Sequence, residues 1–316
     1  MNNPDTTTDP QAQGTSPLSP FHPGEQAVQT IAGVRDEAEA RGLKMLTPKL
    51  VSAQREFFAS LSFAVSSQLD DQGQPRAGLL TGEPGFIQAR EDGSVRIGHG
   101  GVRRGPAAPD ATLYMSGGQL GLLGIEFARR RRNRINGTVT DVGHDYVALL
   151  IDQGYGNCPK YITKRDWDNG LFKGSYTARN SSAPDEYVTR LITNADTFFI
   201  ASSSGPADAS QGKQPQAWGA DVSHRGGEPG FVELVTDGEG DTLFFDDYPG
   251  NNLYNTLGNL HAYPPCGLLF LDFESGDAVQ IAGTAQLNRG PERFRIGLRI
   301  NEIVHWHKQA LTGETS

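Results

Sequence analysis

The sequence predicts a mainly β protein made of two similar domains in tandem. Gly-Glu-Pro-Gly-Phe occupies residues 82–86 and again 227–231, and Gly-Leu-Leu-Gly-Ile-Glu-Phe at 121–127 is answered by Gly-Leu-Leu-Phe-Leu-Asp-Phe at 267–273. The spacing of about 145 residues is far longer than a solenoid repeat, which runs at roughly 20–50 residues, so a whole domain is duplicated. Many short β segments at regular spacing, with few helices, predict a small barrel or sandwich in each copy.

Composition fits two globular domains. The chain has 316 residues and a formal net charge of −9, which suits two domains of about 150 residues each and argues against a general nucleic-acid surface. No apolar run is long enough for a membrane helix, and no leader pattern is seen, so a cytoplasmic protein is expected. We expect Cys158 and Cys266 to be reduced thiols rather than a disulfide.

The first 58 residues predict a tail and two helices. Residues 1–20 are polar and proline-rich and predict a disordered tail. Apolar residues at helical spacing predict a helix over 24–42 with Gly42 as its stop, and 48–58 predicts a second helix with Pro48 in its first turn.

Short strands follow in each copy. In the first copy they are predicted at 62–67, 76–81, 85–89, 94–98, 120–127, 133–142 and 146–153. The second copy repeats the pattern from Thr197, and 294–306 closes it as a strand. The predicted organisation is a first domain over 21–161, a linker with some helix over 162–190, a second domain over 191–306 and a tail over 307–316.

The copies differ where chemistry is expected. The first copy has Leu79-Leu80 before its glycine turn, whereas the second has Ser223, His224 and Arg225 before Gly226 and Gly227. Glycines allow close approach of a ligand, and the guanidinium fork suits phosphate. The alternative is a polar turn with a solvated arginine.

A second segment of the second copy is rich in amides and hydroxyls. Residues 246–260 contain Tyr248, Asn251, Asn252, Asn255, Thr256 and Asn259. Such groups bind heterocycle edges and ribityl-type hydroxyls without net charge, although a helix cap and turn would use some of them too.

These motifs resemble those of the pyridoxamine 5'-phosphate oxidase superfamily, closest to its tandem-duplicated bacterial flavin-nucleotide-binding type. The resemblance rests on 221–231, 247–251, 255–259 and 272–277, with 154–162 ending the first copy, and covers roughly residues 20–305. It implies two tandem split β-barrels forming an intramolecular pseudo-dimer with FMN at the interface.

The resemblance also implies roles for single residues. Ser223, His224 and Arg225 would lie on the strand that contacts the FMN phosphate, and Gly226 and Gly227 would follow in the turn. Tyr248 and Asn259 would join the cofactor contacts, and four further residues would lie on the next strand and a helix start: Asn251, Asn252, Asn255 and Thr256. Oxidases of the family carry Arg or Lys at some of these places, and their substrate-binding Arg and His pair is missing here, so flavin binding is better supported than vitamin B6 oxidation.

Two further clusters are notable. Arg129 to Arg132, with Arg134, form a basic run whose alternate members would share a strand face, either as a solvated edge or as a face that reaches an anion across the pseudo-dimer. His305 and His307 flank Trp306 on one face, but two His without a third ligand more often lie at the surface than bind a metal. No metal site is therefore predicted.

The expected function is an FMN-dependent oxidoreductase that acts on an unidentified small molecule or electron donor, with His224 as the sole candidate acid or base. The alternative is a non-enzymatic flavin- or haem-binding protein with a storage or sensing role. Neither nucleic acid nor membrane is expected as a partner, and homodimerisation stays open.

Overall fold

The computed structural model describes residues 18–98, 106–107, 114–168, 170–205 and 219–309. The predicted mainly β class is confirmed, with one large antiparallel sheet in each half of the chain. Most of the predicted tail 1–20 and the end of the tail 307–316 lie outside the described residues.

The first sheet has seven strands in the order β2-β1-β5-β6-β7-β4-β3. Its strands lie close to their predicted positions. Their bounds are β1 Phe63–Leu69, β2 Pro75–Thr81, β3 Ile87–Ala89, β4 Ser94–Gly98, β5 Gln119–Glu126, β6 Arg131–Val142 and β7 Tyr146–Gly156.

The second sheet repeats this order as β10-β9-β13-β14-β15-β12-β11, and β8 adds to it by pairing with β15. Because the order matches strand for strand, each strand of the first sheet has a counterpart in the second. The bounds are β8 Tyr176–Ser181, β9 Thr197–Ser203, β10 Ala220–Gly226, β11 Glu233–Asp237, β12 Gly240–Asp246, β13 Pro265–Leu271, β14 Ala278–Arg289 and β15 Phe294–Lys308.

Five helices flank the sheets in the described residues: α1 Pro23–Ile31, α2 Arg35–Met45, α3 Ser52–Ser60, α4 Glu186–Thr193 and α5 Asn255–Ala262. The single helix predicted over 24–42 was wrong, because Gly33 adopts φ +74°, a left-handed conformation that ends α1. The second predicted helix begins four residues late, at Ser52, so Pro48 precedes it rather than starting it.

The predicted linker and tails also differ from the structure. Residues 176–181 form strand β8, and α4 starts at Glu186, so much of the interval 162–190 packs with the second sheet. Ser19 donates to Glu39, and the Pro20 carbonyl accepts from Gln153, so the end of the predicted tail is anchored. Strand β15 extends to Lys308 and includes the first residues of the predicted C-terminal tail.

The described residues form three large apolar cores and two smaller ones. One large core lies under each sheet, and a third lies between the sheets, where Val65 and Leu123 meet Phe199 and Leu269. Strand residues alternate between faces, so Phe198 and Ile200 enter their own core while Phe199 enters the shared one. Strands β1, β5, β9 and β13 lie between two cores and are therefore buried along nearly their whole length.

Glycines allow the sheets to approach. Gly121 on β5 lies against the backbone of Ala220 and Asp221, and a Cβ on Gly267 of β13 would lie 2.3 Å from the Pro75 carbonyl oxygen. These two glycines are the counterparts noted in the repeated sequence. Gly121 brings strand β10 beside β5, and Gly267 brings β13 beside β2.

Candidate functional site

A polar cavity of about 300 Å³ lies between the two sheets. Its walls come from β6 and the end of β7 in the first half, and from β10, the loop 247–254 and the start of α5 in the second. Five arginines but only two carboxylates line it, so it is cationic in a chain whose net charge is −9. The charged lining residues are Arg132, Arg134, Arg225, Arg289, Arg293, Asp247 and Glu292.

The basic run reaches this cavity through strand alternation. Strand β6 starts at Arg131, and Arg132 and Arg134 point to the same face, into the cavity. Arg131 lies over the ring of Phe57 instead, and Arg129 pairs with Glu126 at the surface. Arg130 sits in the turn before the strand with φ +50°, so the predicted alternation holds only from Arg131 onward.

Arg134 is the centre of a buried network that joins the two sheets. Its Nη1 donates to Asp221 Oδ1 at 2.7 Å and to the Tyr155 hydroxyl at 2.8 Å, and its Nη2 donates to Ser223. The Thr256 hydroxyl donates to Ser223 Oγ at 3.0 Å. Burial alone would lower the pKa of Arg134, but Asp221 and Tyr155 hold it above its ordinary value. Arg134 and Asp221 thus form a buried ion pair in which the charge of Arg134 is neutralised.

Arg132 differs from Arg134 because it has no carboxylate partner among the described residues. Its Nε donates to the Cys158 carbonyl at 2.9 Å, and its Nη1 donates to His224 Nδ1 at 2.9 Å. Burial, together with Arg134 and Arg225, lowers the pKa of Arg132 to about 10. The side chain is still charged at neutral pH, and its charge is left uncompensated beside two other guanidinium groups.

His224 is held as a neutral imidazole. Burial, followed by the charges of Arg132, Arg225 and Arg165, puts its pKa well below the ordinary value. Because Nδ1 accepts from Arg132, Nε2 carries the proton, and it finds no hydrogen-bond partner within the described part of the chain. A buried donor without a partner is costly, so it is suited to meet a ligand acceptor. The arrangement favours hydrogen-bond donation, and acid–base catalysis by His224 stays a prediction.

The opposite wall combines an ion pair and a helix start. Arg225 contacts Asp247 at 3.2 Å, and burial raises the pKa of Asp247 while Arg225 opposes that rise. Helix α5 begins at the cavity, with its N-cap residue Tyr254 at φ 59° and no side-chain cap. The N–H groups of the first helical turn therefore add positive potential to the cavity wall.

Most of the predicted binding residues meet at this cavity. Ser223, His224, Arg225, Tyr248, Asn251, Asn252, Asn255 and Thr256 all line it. The prediction of a strand for Asn251 and Asn252 was wrong, because both lie in the loop before α5. That loop is tightly bent, and Asn252 adopts φ 60°.

Three predicted residues lie elsewhere. Asn259 is one turn further along α5 and is buried between His22 and Ser202. Gly226 lines a smaller adjoining cavity of about 60 Å³. Gly227 lies under the ring of Phe231, where a Cβ would come within 2.6 Å of that ring, so the residue serves the turn.

The site also contains residues that the motifs did not single out. Asn157 and Cys158 contribute from the end of β7, and Arg289, Arg293 and Phe294 contribute from the β14–β15 hairpin. No sequence motif marks the two hairpin arginines as site residues, because only the pairing of β15 with β12 brings them to the cavity.

The counterpart of this site on the other side of the molecule lacks the same chemistry. Strand register pairs Leu123 with Arg134 in the first sheet and Leu269 with Gln280 in the second, so Gln280 replaces Arg134. By the same register, Ala278 replaces Arg132, and Gly78 and Leu79 replace Ser223 and His224. Gln280 is occupied by Trp306 and the Ala77 carbonyl. At these positions the described residues form a cationic site on one side of the molecule only.

A buried acid lies behind the cavity. Glu25 accepts from the His22 backbone N–H at 2.9 Å and from Asn255 Nδ2. Burial puts the pKa of Glu25 well above its ordinary value of 4.5, and these two hydrogen bonds only partly oppose it. Its protonated form is therefore the one that the fold stabilises.

Replacing Glu25 by glutamine is expected to give a variant whose stability relative to the parent increases as pH rises. The raised pKa of Glu25 adds to the unfolding free energy of the parent. This stabilisation is fully present below pH 4.5 and is lost as pH rises toward the folded-state pKa. The difference in unfolding free energy between variant and parent should grow by about 1.4 kcal/mol per pH unit in that window. Urea unfolding at several pH values measures it, with the exposed Glu228→Gln as matched control. A difference that stays constant with pH would contradict a protonated Glu25.

Comparisons with known proteins give partial structural matches. No protein-family model and no curated protein matches the sequence. Group A Streptococcus HupZ is 10% identical, covering 34% of this chain and 94% of its own, with a TM-score of 0.26. A FAD-binding protein of Mesorhizobium loti is 12% identical, covering 42% and 99%, with a TM-score of 0.25. A candidate pyridoxamine 5'-phosphate oxidase of Lactobacillus delbrueckii is 16% identical, covering 35% and 98%, with a TM-score of 0.26. At TM-scores this low, these matches support no conclusion about this chain.

None of the described helices has the length and apolar character needed to cross a bilayer.

Proposed function

We propose that the cavity between the sheets binds FMN and that the protein is a flavin-dependent oxidoreductase. The observation that carries the proposal is the Arg132 guanidinium, a charged group in the cavity wall without a carboxylate partner among the described residues. A buried charge without a partner is costly, and a phosphate would supply the missing anion. The cavity volume of about 300 Å³ lies at the lower end of the usual range for small-molecule sites.

The donors around the cavity fit a phosphate group. Arg132 and His224 lie on one side, and the uncapped start of α5 lies on the other. Helix N-termini bind phosphate because their free N–H groups and the helix dipole both favour negative charge. Arg225 would contribute by releasing part of its contact with Asp247.

The remaining lining fits the rest of the cofactor. Tyr248, Tyr254 and Phe294 offer ring surface for an apolar tricycle, and Asn251 and Asn252 offer amides for hydroxyl and carbonyl groups. FMN supplies the redox chemistry when bound, because its ring system accepts and releases hydride. The residues of the chain orient it and neutralise its charge, and neutral His224 donates a hydrogen bond through Nε2.

The lining favours FMN over haem. A haem needs a wide apolar slot and an axial ligand, but Nδ1 of His224 accepts from Arg132, so Nε2 carries the proton and offers iron no lone pair. A flavin-binding protein without turnover remains the alternative within the same site. The two differ in whether bound FMN exchanges electrons with a donor.

Anaerobic mixing of the FMN-loaded protein with NADH or NADPH distinguishes these alternatives. An oxidoreductase should bleach the oxidised flavin absorbance faster than the same concentration of free FMN. Bleaching no faster than free FMN with either nucleotide and with reduced B6 vitamers would support a storage or sensing role instead.

A further inference from the structure

A second polar cluster lies at the far end of β15, where two histidine rings converge on one carboxylate oxygen. His305 Nε2 lies 2.9 Å from Asp277 Oδ2, and His307 Nδ1 lies 2.8 Å from the same oxygen. All three ligand atoms lie within 4.8 Å of one another. Asp277 is 28 residues from His305, so no local motif marks the third group.

The fold fixes each member of this cluster. Strand alternation puts His305 and His307 on one face of β15, on either side of Trp306. Asp277 precedes β14, in a turn where Gly276 adopts φ +81°, and its Oδ1 accepts from the Lys308 backbone N–H at 2.9 Å. Tyr187 stacks on the His305 ring with centroids 4.7 Å apart. The Asp277 carboxylate is therefore fixed by one oxygen and presents the other to both rings.

We propose that Asp277, His305 and His307 form a binding site for a divalent transition-metal ion. Two imidazole nitrogens and one carboxylate oxygen are the ligand set of many zinc sites with an open position. The Asp277 oxygen is slightly closer to each nitrogen than two ligands of one ion would be, so binding requires both oxygen–nitrogen pairs to separate by a fraction of an ångström. Solvent reaches the cluster through His307, whose side chain is 64% exposed, while Asp277 is 5% exposed.

Charge and protonation are compatible with a cation there. The Lys308 ammonium is turned away to the carbonyls of Gly170 and Leu171, so it does not occupy the carboxylate. Binding replaces two N–H···O hydrogen bonds by two metal–nitrogen bonds. Each neutral ring must then change tautomer, so that its one proton moves from the metal-binding nitrogen to the other ring nitrogen, and the carboxylate stays ionised. A water molecule would complete the coordination.

The proposed metal site is separate from the candidate flavin site. Strand register pairs His305 with Val279 and Gly156 with Asn133, which makes His305 the counterpart of Gly156. The cluster thus corresponds in the second sheet to the rim formed by Asn157 and Cys158 in the first. None of its three members lines the cavity, so the two proposals succeed or fail independently.

Calorimetric titration of tag-free protein with Zn²⁺ tests the proposal, in a Cys158→Ser background that removes the partly exposed thiol. We expect one equivalent to bind with micromolar or tighter affinity, and His307→Gln and His305→Gln each to weaken it at least tenfold. Glutamine retains an N–H donor for Asp277, so the metal-free melting temperature should change little. The exposed His144→Gln is the matched control and should bind as the parent does.

Co²⁺ provides an independent readout, because its visible absorption bands report coordination by nitrogen and oxygen ligands. They should appear with the parent and disappear with either glutamine variant, while FMN binding is unchanged. Absence of saturable Zn²⁺ binding, or equal affinity in the parent and both variants, would overturn the metal site. The cluster would then serve only to hold the end of β15 by hydrogen bonds to Asp277.

Discussion

Replacing Arg132 by alanine is expected to weaken FMN binding by about tenfold to a hundredfold. The substitution removes a charge-assisted contact worth roughly 1.5–3 kcal/mol at a phosphate. The stability of the protein without FMN should stay close to that of the parent, because the lost hydrogen bonds to Cys158 and His224 oppose the relief of repulsion from Arg134 and Arg225. Calorimetric titration with FMN and thermal unfolding without it measure the two effects.

Arg131→Ala is the matched control for this prediction. Arg131 precedes Arg132 on the same strand but lies over Phe57, on the opposite face. It should bind FMN as the parent does. Equal losses in the two variants would mean that the basic run acts only through general charge, and no loss in either would mean that Arg132 does not meet the ligand.

Replacing Asp221 by alanine is expected to destabilise the fold by about 3–5 kcal/mol. The change leaves the buried Arg134 guanidinium without its counter-charge, and breaking a buried pair by removing one partner costs that much. Both side chains are nearly inaccessible, at 5% and 2% exposure, and their contact of 2.7 Å joins the two sheets. Denaturant unfolding monitored by tryptophan fluorescence measures the loss.

Glu239→Ala serves as control for the buried pair. Glu239 contacts Arg299 at 2.9 Å but is 84% exposed, and exposed pairs contribute about 0–1 kcal/mol. A loss for Asp221→Ala no larger than that for Glu239→Ala would show that the Arg134 network does not hold the sheets together.

The sequence predicted the architecture well because local signals agree with it. Alternating apolar residues and Gly-rich turns placed β4 at its observed bounds, and the repeated segments around Gly121 and Gly267 predicted two like halves. The break at Gly33 was missed because one glycine within a helical pattern is usually tolerated, and only its left-handed conformation stops the helix.

The candidate site was predicted in part, since motifs mark only the residues that are close in sequence. Ser223, Arg225, Asn255 and Thr256 were found in this way. Arg134 and Asp221 are 87 residues apart, and their contact depends on how the two sheets pack. For the same reason, the sequence left open whether the basic run is a solvated edge, until β6 placed Arg132 beside His224.

The comparison of FMN with riboflavin tests the central claim most directly. The two ligands share the ring system and differ in the phosphate, which the cationic cavity is proposed to hold. Calorimetric titration of the purified protein should show one FMN per chain with micromolar or tighter affinity, and riboflavin at least tenfold weaker. Equal affinity for the two ligands, two FMN per chain, or absence of FMN binding would contradict it.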